Sequence, residues 1–110
     1  MKEYLFVYGQ FRETAKSLLS NPIHCGRSSI DGKIYKVNDF YPGFVDGDGK
    51  IIGDVYIVEP ETFKTLDEFE GDEYIRTKVT TDSGLECWVY KYILDVAGFE
   101  EIKGGDWWLR

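Results

Sequence analysis

The sequence is poor in the residues that form redox, metal and disulfide sites. It contains one histidine, His24, and two cysteines, Cys25 and Cys87, among 110 residues. A single histidine gives little support to a histidine metal cluster or a Ser-His-Asp triad. Two cysteines so far apart do not make a disulfide framework, so we expect reduced thiols with a structural role. The alternative is that the fold brings them together and they pair. We therefore predict no metal site.

Basic residues and long apolar runs are also scarce. The chain has 13 Lys and Arg against 20 Asp and Glu, a net charge of -7. Nucleic acids and anionic membranes bind clustered cations, so we expect neither as a partner. The opening segment MKEYLFVYGQF is too short and interrupted for a signal peptide, and no segment reaches the ~18 apolar residues that a membrane span requires. We expect a cytoplasmic protein.

What the sequence does contain is the composition of a globular core. Hydrophobic residues make up 43% of the chain and aromatic residues 16%. A chain of this size buries roughly two-thirds of its unfolded surface. We expect residues 1–110 to form a single domain.

The spacing of apolar and turn-forming residues predicts five or six strands and two helices. The predicted strands are 4–8, 30–37, 51–58, 74–81 and 86–94, and the predicted helices are 13–19 and 60–70. Turns are expected at 41–43, at the Asp-Gly-Asp-Gly segment 46–49, which reads as a hairpin turn, and at 82–84. Many strands joined by turns indicate an α+β domain with a mixed or barrel-like sheet.

The second predicted helix carries an acid in an unexpected place. Phe63, Leu66 and Phe69 follow the spacing of a buried face, and Glu70 projects from that face just before Gly71 ends the helix. Burial, the negative end of the helix dipole and nearby carboxylates would all raise the pKa of Glu70 toward the range useful for proton transfer. Alternatively, Glu70 caps a local hydrogen-bond network or turns into solvent.

Several segments together resemble the gamma-glutamylcyclotransferase-like (AIG2-like) family. They are 5–12 (LFVYGQFR), 41–45 (YPGFV), 53–56 (GDVY), 66–71 (LDEFEG) with Tyr74 and Arg76 after it, 88–90 (WVY) and 105–107 (GDW). No single segment is decisive. The set covers nearly the whole chain in order.

The resemblance implies a fold, a reaction and site residues. The fold would be a small mixed β-barrel with flanking short helices. The α-amine of a small γ-glutamyl substrate would attack its own γ-carbonyl, leaving 5-oxoproline and a free amine, without metal or organic cofactor. The catalytic glutamate of the family comes directly before the glycine of the segment 66–71. Here it is Glu70, which would act as base and then acid. The substrate loop would be Tyr8, Gly9, Gln10 and Phe11.

The chain departs from the family pattern within this loop. Gln10 stands where a small threonine is usual, and Phe11 stands where leucine is usual. If the loop binds substrate through its backbone, these changes alter the shape of the pocket and leave the chemistry intact. The alternative is a non-catalytic module that binds a small metabolite in the same pocket.

Two further residues are candidates for substrate binding. Arg12 follows the loop and could bind a substrate carboxylate, or it could pair with Glu13 or Asp67. Tyr74 lies four residues after Glu70 and could orient it or line the pocket, or it could be an ordinary core residue. The tail residues Trp107 and Trp108 are expected to pack against one end of the barrel.

Overall fold

A single curled sheet dominates the computed structural model, which describes residues 3–9 and 23–109. The strands and helix are β1 (Glu3–Val7), β2 (Ile23–Lys36), β3 (Pro42–Val58), α1 (Thr62–Glu70), β4 (Tyr74–Thr80), β5 (Glu86–Tyr92) and β6 (Glu100–Glu101). Short 3-10 turns cover Gly71–Glu73 and Trp107–Leu109. The predicted helix at 13–19 lies outside the described residues.

The sheet is mixed and curls into a half-barrel. Its strand order is β4-β5-β1-β3-β2-β6. β1 runs parallel to β5 and antiparallel to β3, so it lies between two strands that come later in the chain. The beginning of β3 also pairs with β5, at Phe44 and Lys91. The predicted α+β class and barrel-like mixed sheet are confirmed.

The two faces of the sheet bury different apolar clusters. One cluster includes Phe6, Ile34, Phe44, Ile51 and Trp107. Trp107 is 1% exposed, which confirms its predicted packing role. The second cluster joins α1 to β1, β3 and β5. β5 contributes to both clusters because successive side chains of a strand point to opposite faces.

Two predicted turns are placed differently in the structure. The segment 46–49 is not a hairpin turn but a bulge inside the 17-residue strand β3. Pairing with β2 continues on both sides of it, and Gly32 alone lies opposite its four residues. The prediction of a turn at 41–43 is also wrong, because β3 begins at Pro42. The turn between β2 and β3 comes before it, where the Asn38 side chain accepts hydrogen bonds from the amides of Phe40 and Tyr41. The predicted turn at 82–84 is confirmed between β4 and β5.

Candidate active site

Glu70 is the last residue of α1, at the point where the helix leaves the sheet. Phe63 and Leu66 are buried against strands β1, β3 and β5. Seven residues separate Phe63 from Glu70, which is only about 20° short of two full helical turns. The Glu70 side chain therefore leaves the helix on its apolar side. Gly71 then ends the helix with a φ of 75° and donates its N–H to the Asp67 carbonyl.

Burial raises the pKa of Glu70 from 4.5 to about 7. The predicted direction of this shift is confirmed, and of the three expected causes burial is the one that produces it. The expectation that Phe69 shares the buried face is wrong, because its side chain is 62% exposed. Two steps of three residues place Phe69 about 120° around the helix from Phe63.

Three tyrosines from different strands lie near this carboxylate. Tyr8 follows β1, Tyr74 begins β4, and Tyr90 lies in β5. Burial is the main reason that the pKa of each phenol is raised, and the negative charge of Glu70 contributes to all three shifts. Among these four side chains, Glu70 is therefore the one whose pKa lies near neutral pH.

The hydroxyl of Tyr8 is held on both sides by the backbone. It donates a hydrogen bond to the Tyr90 carbonyl oxygen at 2.7 Å and accepts one from the Phe44 N–H at 3.1 Å. Tyr8 is buried, so these bonds satisfy a group that cannot reach water. They also fix the end of β1 against β5 and β3.

The other two phenols also donate their protons away from Glu70. Tyr74 donates to the Pro42 carbonyl at 2.8 Å, and Tyr90 donates to the Asp67 carboxylate at 2.6 Å. Tyr74 packs its ring against neighbouring tyrosines, and it also lines a cavity described below. Tyr74 therefore lines this cavity and also takes part in aromatic packing.

Gly9 is the described part of the predicted substrate loop, and its backbone is tightly confined. A Cβ atom at this position would lie 2.6 Å from Cδ of Pro42, so only glycine allows this approach. The Trp108 indole N–H donates to the Gly9 carbonyl at 3.2 Å. Trp108 is 37% exposed, so it is less buried than its predicted packing role implies, and this hydrogen bond attaches it to Gly9. The predicted site residues Gln10, Phe11 and Arg12 lie outside the described residues.

An ion pair beside Glu70 was not anticipated from the sequence. Arg76 binds both carboxylate oxygens of Asp67, through Nε at 3.1 Å and Nη2 at 3.2 Å. Its guanidinium lies 4.3 Å from the ring centre of Phe63 and 4.7 Å from that of Trp88. Burial acts to raise the pKa of Asp67, but hydrogen bonds from Tyr90 and Arg76 outweigh it and lower that pKa. In the sequence, this pair could have been suspected because Asp67 and Arg76 lie on either side of Glu70 in the same family-like segment, 66–76.

A cavity of about 400 Å³ lies between the end of α1 and strands β4 and β5. Its wall is formed by Asp67, Tyr74, Ile75, Arg76, Trp88 and Tyr90. Cavities of this size accommodate small molecules. Two of its lining residues, Tyr74 and Tyr90, are tyrosines whose pKa the charge of Glu70 helps to raise.

Residues 5–109 match the family model described as Gamma-glutamyl cyclotransferase, AIG2-like. The chain belongs to this family. The YtfP protein of Escherichia coli K12, named as a gamma-glutamylcyclotransferase family protein, is 35% identical over 108 residues, covering 94% of each chain. The gamma-L-glutamyl-butirosin B gamma-glutamyl cyclotransferase of Niallia circulans is 30% identical over 117 residues, covering 94% of this chain and 74% of that protein.

Solved structures of the family share the fold. The solution structure of E. coli YtfP matches with a TM-score of 0.77 at 36% identity, covering 94% of this chain and 95% of that one. A crystal structure of an uncharacterized protein from Pyrococcus horikoshii matches with a TM-score of 0.80 at 29% identity, covering 96% and 89%. The family model and the relatives named as gamma-glutamylcyclotransferases support an enzyme of this kind.

The remaining residues singled out in the sequence lie in ordinary structural settings. His24 is exposed and forms a 3.1 Å contact with Asp54. Cys25 is exposed and Cys87 is buried, and both are free thiols. Burial raises the pKa of Cys87 to about 11. Within ranges 3–9 and 23–109, no helix is long and apolar enough to cross a membrane.

Proposed function

We propose that this chain is a γ-glutamyl cyclotransferase that converts a γ-glutamylamine or γ-glutamyl peptide into 5-oxoproline and a free amine. The observation that carries the proposal is Glu70, partly buried beside three tyrosines, with a pKa raised to about 7. Family membership supports the reaction class. The name of the Niallia circulans relative supports a γ-glutamyl group on an amine as the chemical feature that is recognised.

Glu70 has the proton affinity that both halves of this reaction need. Its carboxylate takes one proton from the substrate α-ammonium, and the resulting amine attacks the γ-carbonyl carbon. Glu70 then returns this proton to the leaving nitrogen as the bond from that carbon to the leaving nitrogen breaks. The ring nitrogen still carries one proton more than a lactam has, and Glu70 takes up this second proton and passes it to the released amine, which departs as an ammonium ion. A group that is about half ionised at neutral pH can serve in both steps.

The neighbouring tyrosines are poorly suited to replace Glu70 in this role. Their pKa values are raised above that of an ordinary phenol, and their protons are donated to the Tyr90 carbonyl, the Pro42 carbonyl and the Asp67 carboxylate. Because the nucleophile and the carbonyl belong to one molecule, the protein mainly has to hold the folded conformer of the substrate. We propose that Tyr8, Gly9, Gln10, Phe11, Arg12 and Tyr74 bind that conformer.

The test compares the wild-type protein with Glu70→Gln and with Glu68→Gln as a matched control. Glu68 is exposed on the same helix, so its substitution changes the same charge without touching the site. Each protein is incubated with γ-glutamyl dipeptides and γ-glutamyl alkylamines, and the release of 5-oxoproline is measured. We expect turnover by the wild type and by Glu68→Gln, and a loss of at least about 100-fold in Glu70→Gln.

Two results would contradict the proposal in different ways. Turnover that survives in Glu70→Gln would remove Glu70 from the role of base. Substrate binding by calorimetry, with no turnover of any compound by the wild type, would instead favour a non-catalytic binding module.

A further inference from the structure

Tyr90 is bonded to both parts of the candidate active site through different atoms. Its side-chain hydroxyl donates to Asp67 on α1 at 2.6 Å, and its main-chain carbonyl accepts the Tyr8 hydroxyl at 2.7 Å. Tyr8 immediately precedes Gly9, and Asp67 lies one helical turn before Glu70. One residue of β5 therefore connects the strand end that leads into the loop with the helix that carries the base.

The Asp67 end of this connection is held by two residues. Arg76 holds both oxygens of that carboxylate, and the guanidinium itself lies over the rings of Phe63 and Trp88, which contact each other edge to face. A planar guanidinium bound at two points and covered by aromatic rings has little rotational freedom. Asp67 is thereby fixed to β4 by Arg76 and to β5 by Tyr90.

A fixed Asp67 restrains the last turn of α1. Residues three apart on a helix lie on neighbouring turns of one face, so Asp67 and Glu70 move together. The last turn of a helix lacks some internal hydrogen bonds and frays most readily when nothing outside the helix holds it. Here the bond from Tyr90 and the ion pair with Arg76 supply that restraint.

We propose that Tyr90 is a positioning residue, whose hydroxyl holds the last turn of α1 against β5 so that the Glu70 carboxylate stays in its partly buried place beside Tyr8. This inference rests on the proposed function for its effect on turnover. Its effect on the environment of Glu70 is independent of any substrate.

Removal of the Tyr90 hydroxyl should let Glu70 reach solvent. In Tyr90→Phe the ring and the carbonyl remain, so the Tyr8 contact and the packing are kept while the bond to Asp67 is lost. The charge of Glu70 acts on Tyr8, Tyr74 and Tyr90, and the Asp67–Arg76 ion pair is formed one helical turn before Glu70. None of these changes charge in Tyr90→Phe at neutral pH, so a shift in the titration of Glu70 reports its solvation.

The experiment measures the titration of the Glu70 side chain by carbon-13 NMR in substrate-free protein, together with kcat and KM across pH. In Tyr90→Phe we expect the Glu70 titration to move at least one unit lower, and kcat to fall about 10- to 100-fold with KM within about twofold. The control is Tyr56→Phe, which removes a phenol from the same apolar cluster and should leave both readouts unchanged.

A second variant guards against failure of Tyr90→Phe to fold. Arg76→Lys keeps the charge but breaks the two-point hold on Asp67, and it should move the Glu70 titration in the same direction by a smaller amount. A Glu70 titration at the wild-type position in both variants would overturn the inference, even if activity fell through general destabilisation.

The same measurements separate this inference from the proposed function. A wild-type protein that releases no 5-oxoproline from any compound would refute the proposed function, while the NMR titration would still decide the role of Tyr90. Normal wild-type turnover with an unmoved Glu70 titration in the variants would refute the positioning role alone.

Discussion

Replacement of Glu70 by glutamine should make the folded protein more stable at alkaline pH. Its pKa is about 7 in the folded state against 4.5 for an ordinary glutamate, a difference of about 2.5. At about 1.36 kcal/mol for each pKa unit, this amounts to about 3 kcal/mol, an upper value because the carboxylate keeps some contact with water. This is a large fraction of the stability of a small domain, typically about 5–15 kcal/mol.

The sign follows from which state binds the proton more tightly. Below pH 4.5 both the folded and the unfolded chain carry a protonated Glu70, and the residue makes no difference. Between pH 4.5 and about 7 the unfolded chain ionises first, so wild-type stability falls with rising pH; it levels off above pH 7. Glutamine is neutral throughout, so Glu70→Gln avoids this loss.

The assay is urea unfolding, followed by tryptophan fluorescence, of the wild type, Glu70→Gln and the exposed control Glu68→Gln. We expect Glu70→Gln to exceed the wild type by about 2–3 kcal/mol at pH 8 and to match it at pH 4. Glu68→Gln should stay within about 0.5 kcal/mol of the wild type at both values. An equal difference at pH 4 and pH 8, or a less stable Glu70→Gln at pH 8, would refute the reasoning.

Two further predictions concern residues around the site and the thiols. In Gly9→Ala, the new methyl group would meet the Pro42 ring at 2.6 Å, so we expect a stability loss of about 1–3 kcal/mol in urea unfolding, with turnover reduced more than stability explains. Normal turnover in that variant would show that Gly9 tolerates a side chain. With a thiol reagent at pH 8, Cys25 should react promptly and Cys87 only on unfolding, because Cys87 is buried and its pKa is about 11. Two equally fast thiols would contradict the burial of Cys87.

The position of Glu70 could be predicted because local rules determine it. The seven-residue step from Phe63 and the helix stop at Gly71 both act within α1. The same rules gave a wrong prediction for Phe69. Phe63, Leu66 and Phe69 are each three residues apart, which is less than a full helical turn, so the third of them no longer lies on the buried face. Nearby acids were also expected to matter, but burial, which depends on the whole fold, produces the shift.

Features that depend on contacts between residues far apart in the sequence could not be predicted from it. The segment 46–49 has the chemistry of a hairpin turn, and only its pairing with β2 on both sides makes it a bulge. Tyr90 could be recognised as a buried strand residue, but its bonds to Tyr8 and Asp67 join positions 82 and 23 residues away. Spacing rules carry no information across such distances.

The central place of β1 in the sheet has a consequence for how the protein is made. β1 is synthesised before either of its neighbours, and its partner residues lie in β3 and, at Trp88, in β5. A sheet whose pairings span so much of the chain forms slowly compared with one built from adjacent hairpins. A growing chain that has reached Glu70 therefore already contains Gly9 and the base, but not the strand that connects them. The site can be assembled only after β5 has been synthesised.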